Sequence, residues 1–262
     1  MRLLTGRCSG RLRHPLIAHV GRHSRTPPMS IVIPIALLQR TVVAILATLA
    51  LHNINAQPVD SISKTPANLM VVLRESVGAN KQDESLQPMG KAKVKLADGK
   101  EVEFEPANFA YLGDMHVRFV FDGPQTMIGA TPEELKAFNL SPEQALSLAI
   151  ANIKRVYGKP VASPWTGGLM QVQGKSPDVD SSYFLDREFW RELSKKHPDG
   201  IVISVAKRGG LVYAPLSDTK AVGTLRRGVA YLHSSSERLR VSSALYLFKD
   251  DRWLVFQAPA WK

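Results

Sequence analysis

Asp199-Gly-Ile-Val-Ile-Ser-Val-Ala-Lys-Arg-Gly-Gly-Leu-Val-Tyr-Ala-Pro215 is the stretch on which the fold turns. Ile201 to Ala206 is an apolar run broken only by Ser204, the composition of a central strand. Arg208-Gly209-Gly210 supplies a turn, because glycine accepts the positive φ that other residues resist. Leu211 to Ala214 reads as the returning strand. Val222, Leu225, Val229 and Leu232 then recur at +3, +4 and +3, which predicts an amphipathic helix with Arg226 and Arg227 off its apolar stripe. A hairpin followed by such a helix points to an α+β fold.

The same signals continue on either side. Leu69 to Leu73 is a short apolar run, readable as a strand or as a helix segment. Lys93 to Leu96 and Glu101 to Phe104 alternate with period two around Asp98-Gly99, a hairpin signal. Val117 to Phe121 predicts a strand stopped by Asp122-Gly123-Pro124. Thr131-Pro132-Glu133-Glu134 and Ser141-Pro142-Glu143-Gln144 each offer a capping hydroxyl, a proline at the first helical position and a reciprocal acceptor three residues on. The second of these helices carries Leu146, Ala149, Ile150, Ile153 and Tyr157 on one face and stops at Gly158. Gly158 to Gly174 reads as loop with a strand-like tail from Leu169 to Gln173. Tyr183 to Leu193 is strand-to-helix or all helix, with Asp186 as a candidate cap. Val241 to Phe248 and Trp253 to Gln257 form a closing hairpin around Lys249-Asp250-Asp251-Arg252. The expectation is an α+β domain with mixed or antiparallel sheets, about seven to nine strands and about four helices.

The first 56 residues hold seven Arg, four His, no acid and the single cysteine, Cys8. From Met29 the chain reads as a bacterial export signal, with Arg40 as the positive flank and Val42 to Leu51 as the apolar core. A polar stretch then closes on Ala56, so cleavage is expected between Ala56 and Gln57. Residues 1–28 read as upstream sequence from an early start, although a transit peptide has a similar composition. The expected layout is a leader over 1–56, a flexible mature start over 57–67, and a single domain over 68–262. Localisation is then periplasmic or secreted. The alternative of a signal anchor over Ile31 to Leu51 has Pro34, Gln39 and Arg40 in its middle, and a central Arg costs about 2.5–3.5 kcal/mol on insertion.

The formal charge of +11 is largely a property of the leader. Seven of the 34 Lys and Arg and none of the 23 Asp and Glu lie in residues 1–56, so the remainder carries +4. That balance gives no case for nucleic-acid binding. A mature chain without cysteine excludes thiol nucleophiles, thiolate zinc sites and disulfides.

Asp199 to Pro215, the following helix, Val241-Ser-Ser-Ala-Leu-Tyr-Leu-Phe248 and Phe138-Asn-Leu-Ser-Pro-Glu-Gln-Ala-Leu146 together resemble the YtpQ-like bacterial proteins of unknown function. The resemblance spans about residues 130–257 and implies a mixed α+β fold. It implies no accepted active site, so no catalytic residue is carried over. Ala206 stands where the family pattern implies a proline, and the leader departs from a family associated with cytosolic proteins.

Catalytic signatures are absent from the sequence after the leader. His116, His197 and His233 lie more than ten residues apart, so none forms a local metal-ligand pair. No Gly-x-Ser-x-Gly elbow occurs, and Ser242-Ser243 falls in an expected strand. Asp178 and Asp180 lack the glycine and glutamate of a calcium loop, with Tyr183 and Phe189 in those places. One constellation remains: Lys207 and Arg208 at a hairpin tip, Arg226 on the next helix, and Trp165 in a Pro/Gly loop. Arginines beside an aromatic suit an anionic ligand or a partner's carboxylates, whereas a solvated tip is the plainer alternative. The expected function is a non-catalytic binding or interaction protein of the cell envelope, with no cofactor and no metal. Its partner would be an envelope protein or a small anionic ligand, with the membrane met only through an uncleaved signal segment. The alternative is an envelope hydrolase or transferase whose site assembles only in three dimensions.

Overall fold

A computed structural model describes residues 62–260. The proposed cleavage point at Ala56 and Gln57, together with Cys8 and Trp261, lies outside the described residues. Among the described residues three antiparallel sheets and four α-helices make an α+β fold. In chain order the elements are β1 (Leu69–Glu75), β2 (Gln87–Pro88), β3 (Ala92–Lys95), β4 (Glu101–Phe104), β5 (Asn108–Ala110), β6 (Met115–Asp122), β7 (Met127–Gly129), α1 (Pro132–Ala137) and α2 (Pro142–Tyr157). There follow β8 (Val161–Pro164), β9 (Met170–Gln173), α3 (Arg187–Ser194), β10 (Ile201–Ser204), β11 (Leu211–Pro215), α4 (Thr219–Ser234), β12 (Leu245–Lys249) and β13 (Arg252–Gln257).

The first sheet runs β1-β6-β5-β2, with β7 also paired to β6. The second runs β13-β12-β10-β11-β9-β8, and β3-β4 stands as a separate hairpin. The strand number exceeds the sequence expectation because β2, β5, β7 and β8 are two to four residues long. Such short segments show no periodicity, and β8 lies inside the stretch that reads as loop. The closing hairpin is also shorter than expected: Val241 to Ala244 is irregular and β12 begins at Leu245.

Local chemistry explains the helices. Thr131 Oγ1 accepts from the Glu134 amide while Glu134 Oε2 accepts from the Thr131 amide, and Ser141 and Gln144 repeat the exchange. α2 stops where Gly158 takes φ +82°, a conformation costly to a residue with Cβ. The buried face of α2 carries Ala145, Ala149, Ile150 and Ile153. Asn152 on that face donates to the Pro66 and Leu69 carbonyls, at 2.8 and 2.9 Å. Residues 66–68, at the end of the start that reads as flexible, are thereby pinned in a short 3-10 turn.

The core is aromatic where the second sheet meets the 3-10 turn Asp180–Leu185. Phe184 stacks on Trp253 at 4.0 Å, and Trp190 meets Trp253 edge-on at 5.4 Å. The Trp190 indole donates to the Tyr183 carbonyl, which satisfies its one buried polar atom. The opposite face of the second sheet is closed by α4 through Ala221, Val222, Leu225 and Val229, packed on Val202, Ala214 and Leu245.

Candidate functional site

Strand register assembles a cationic face that the sequence reading did not anticipate. Arg74 on β1 lies directly opposite His116 on β6, and Val72 lies opposite Arg118. Side chains two apart share a face, so Arg74, His116 and Arg118 stand together, opposite the core side formed by Leu73, Val117 and Phe119. Asn108 on β5 is paired with Arg118 and joins the same face. Arg208 enters from the second sheet. Its amide donates to the Leu239 carbonyl at 3.1 Å, its own carbonyl accepts from Ser181 at 2.9 Å, and its guanidinium donates to the Arg238 carbonyl at 2.9 Å.

Arg74 and Arg208 line a largely polar cavity of about 390 Å³ with Asp122, Gln125, Tyr157 and Asp178. Tyr157 donates to Asp122 Oδ2 at 2.6 Å, and burial followed by that bond pushes its phenol up to about 12. Two carboxylates, Asp122 and Asp178, share the cavity with two arginines, but neither is paired with a guanidinium among the described residues, and Asp122 accepts from Tyr157. Among the described residues Arg187 pairs with Glu84, Arg191 with Asp251 and Arg240 with Glu75, but Arg74, Arg118 and Arg208 have no carboxylate within 4 Å. The Nε atoms of Arg118 and Arg208 are buried and make no hydrogen bond among the described residues.

The electrostatic consequence falls on the ionisation of Arg74 and His116. Burial, then Arg208 and Arg118, hold the Arg74 guanidinium down at about 10, and only Asp178 acts in the other direction. Burial, then Arg74 and Arg118, lower the His116 imidazole to about 4, so it is neutral at pH 7. Its Nδ1 lies 2.9 Å from Ser76 Oγ. Three guanidiniums with no ion-paired carboxylate among the described residues repel one another, and an oxyanion held between them would relieve that repulsion.

The residues singled out in the sequence do not converge. Lys207 and Arg208 follow a strand and are held by a bridge between Lys207 and Arg240. The chain bends at Arg208, and Lys207 lines a cavity with Leu232 of α4 whereas Arg208 lines the one shared with Arg74 of β1. Trp165 lines a second cavity with Lys207, not with Arg208. Arg226 sits apart, its guanidinium 4.7 Å from the Phe256 ring centroid on β13. Arg226 is two residues from Thr224, beside which Gly167 of the Trp165 loop packs, but its guanidinium turns to Phe256 and lines neither cavity.

Two other polar groups are built for different purposes. Asp114 is fully buried, and its carboxylate accepts from Ser242 Oγ, from Tyr246 OH at 3.1 Å and from the Ser243 amide at 3.0 Å. Burial and the Asp114 charge push the Tyr246 phenol upward. Ser242 and Ser243 thus stand in an irregular segment, where they satisfy a buried carboxylate. Glu75 and His233 pair at 2.9 Å beside a cavity of about 290 Å³ that Ser243 also lines. Hydrolase chemistry would need Ser243 hydrogen-bonded to that histidine. Instead its hydroxyl accepts from the Ala260 amide at 3.0 Å and contacts Asp114 Oδ2 at 3.3 Å, while His233 Nε2 is taken by Glu75.

Among the described residues no group of three or more His, Cys, Asp or Glu is placed to hold a metal, and no helix is long and apolar enough to cross a membrane. The chain matches no family model, no curated protein and no solved structure.

Proposed function

We propose that this chain is a non-catalytic binding protein of the bacterial envelope that captures an anionic ligand between Arg74 and Arg208. The observation that carries the reading is the convergence of Arg74, Arg118 and Arg208, partly buried and without a carboxylate within 4 Å among the described residues. A cavity of about 390 Å³ falls within the range of small-molecule sites. Planar guanidinium forks select phosphate or carboxylate groups by paired hydrogen bonds, which a lysine ammonium does not reproduce. The export reading of residues 29–56 supplies the compartment. Protein recovered from the envelope fraction should begin at Gln57 on amino-terminal sequencing; an intact amino terminus on cytosolic protein would remove the envelope from the proposal. The resemblance to YtpQ-like proteins adds a fold expectation and no catalytic residue.

Calorimetric titration of the full chain with inorganic phosphate, sulfate and citrate tests the binding role. Arg208→Lys should weaken binding about tenfold, the worth of one charge-assisted hydrogen bond, with the thermal midpoint nearly unchanged. Equal affinity in wild type, Arg208→Lys and Arg208→Ala would reject the site. Turnover is the competing reading, and the engaged hydroxyl of Ser243 counts against it.

A further inference from the structure

A second cavity, of about 170 Å³, opens on the opposite side of the second sheet. Ser204, Val212 and Gln171 form one row across β10, β11 and β9, so their side chains share the face that α4 covers. Leu232, near the end of α4, walls one side, and Trp165, Gln173 and Lys207 also line the space. The Trp165 loop is held by design of the backbone. The Trp165 amide donates to the Leu169 carbonyl at 2.8 Å, and Gly167 takes φ +68° where it packs near Thr224 of α4.

The lining combines three chemistries that a hydrophobic seam between helix and sheet does not need. Ser204 is only 2% exposed, yet its hydroxyl has no hydrogen-bond partner among the described residues. A buried hydroxyl left unpaired is destabilising, so a strand residue facing apolar α4 would ordinarily be apolar. Gln171 donates to Ser163 Oγ at 3.3 Å, which leaves its carbonyl oxygen to accept. Gln173 makes no side-chain hydrogen bond among the described residues and offers both a donor and an acceptor. Trp165 is the one tryptophan of the described chain with a substantially exposed ring, 37% against 0% for Trp190 and 3% for Trp253.

We propose that this cavity is a binding site for a single sugar ring. Its volume is close to the roughly 150 Å³ that accepts one six-membered ring in an apolar protein cavity. An aromatic plane suits the C–H face of a pyranose. A hydroxyl and two amides match ligand groups that both donate and accept. The Lys207 ammonium at the exposed edge would favour a ring carrying a carboxylate over its neutral counterpart. This site is separate from the arginine cleft, and neither depends on the other.

The test is titration of the full chain, followed by amide chemical shifts, with methyl glucoside, methyl galactoside, N-acetylglucosamine and glucuronate. At least one should give saturable shifts at Gln171, Gln173 and Ser204 and a change in Trp165 fluorescence, with glucuronate tighter than methyl glucoside. Ser204→Ala should weaken that binding about tenfold, and Trp165→Ala by at least as much. Ser204→Ala removes an unpaired hydroxyl, so its thermal midpoint should lie at or above the wild-type value, and Trp165→Ala, at an exposed position, should keep the wild-type midpoint. No saturable shift with any of the four sugars would overturn the proposal. Binding indifferent to both substitutions in folded protein would overturn it equally. Phosphate affinity, measured on the same variants, should stay at the wild-type value.

Discussion

Lowering the pH should destabilise this protein through His116 in particular. The imidazole ordinarily titrates near 6.5, whereas burial, Arg74 and Arg118 lower it to about 4 in the folded chain. Between those values the unfolded chain binds a proton that the folded chain refuses, so stability rises with pH across the window. The contribution is complete above about pH 7 and is lost as pH falls toward 4. A displacement of about 2.5 units at 1.36 kcal/mol per unit corresponds to about 3 kcal/mol. The clean measurement is a difference. Urea unfolding of wild type and His116→Gln at a series of pH values cancels the carboxylates common to both, and glutamine retains a hydrogen-bonding group for Ser76. The stability of wild type relative to the variant should fall by about 3 kcal/mol between pH 7.5 and 4. Parallel curves, differing by a constant at every pH, would refute the lowering of His116 by burial and the two arginines together.

Other residues give sharper structural tests. Ile153 is fully buried on α2, so Ile153→Ala should cost about 2–5 kcal/mol; at roughly 2–4 °C per kcal/mol for a chain of this size, an unchanged thermal midpoint would show that the helix face is wrong. Asp114→Ala would strip the acceptor from Ser242, Tyr246 and the Ser243 amide. It should destabilise by about 3–5 kcal/mol in urea unfolding, as breaking a buried charged network does, and a loss below about 1 kcal/mol would argue against the network.

Elements with local signals were readable from the sequence, and elements held by register were not. The two capping boxes at Thr131 and Ser141 carry their own instructions within four residues. The hairpins at Asp98-Gly99 and at Asp250-Asp251 were likewise readable; the latter takes positive φ at both turn residues, the conformation that suits a tight hairpin. β5 and β7 have only three residues each and exist because β6 offers them an edge. The arginine face shows the same division. Alternation along Val117 to Phe121 already implies that His116 and Arg118 point away from the core. That Arg74 stands beside them depends on the β1–β6 pairing, and Arg208 arrives from the turn between β10 and β11, more than 80 residues further along the chain. Lys207 and Trp165 line one cavity, whereas Arg208 lines the other and the Arg226 guanidinium turns to Phe256, a division set by tertiary packing that no local signal carries.

The most direct test of the anion-binding account is to watch the arginine side chains themselves. Nε–Hε resonances of the full chain, titrated with inorganic phosphate to about 50 mM, would register even a Kd of that size. Saturable shifts of Arg74 and Arg208 with one common dissociation constant, abolished by Arg208→Ala in folded protein, are the expected result. Phosphate shifts that never saturate, or that fall on the exposed Arg226, Arg227 and Arg252 while Arg74 and Arg208 stay fixed, would contradict it.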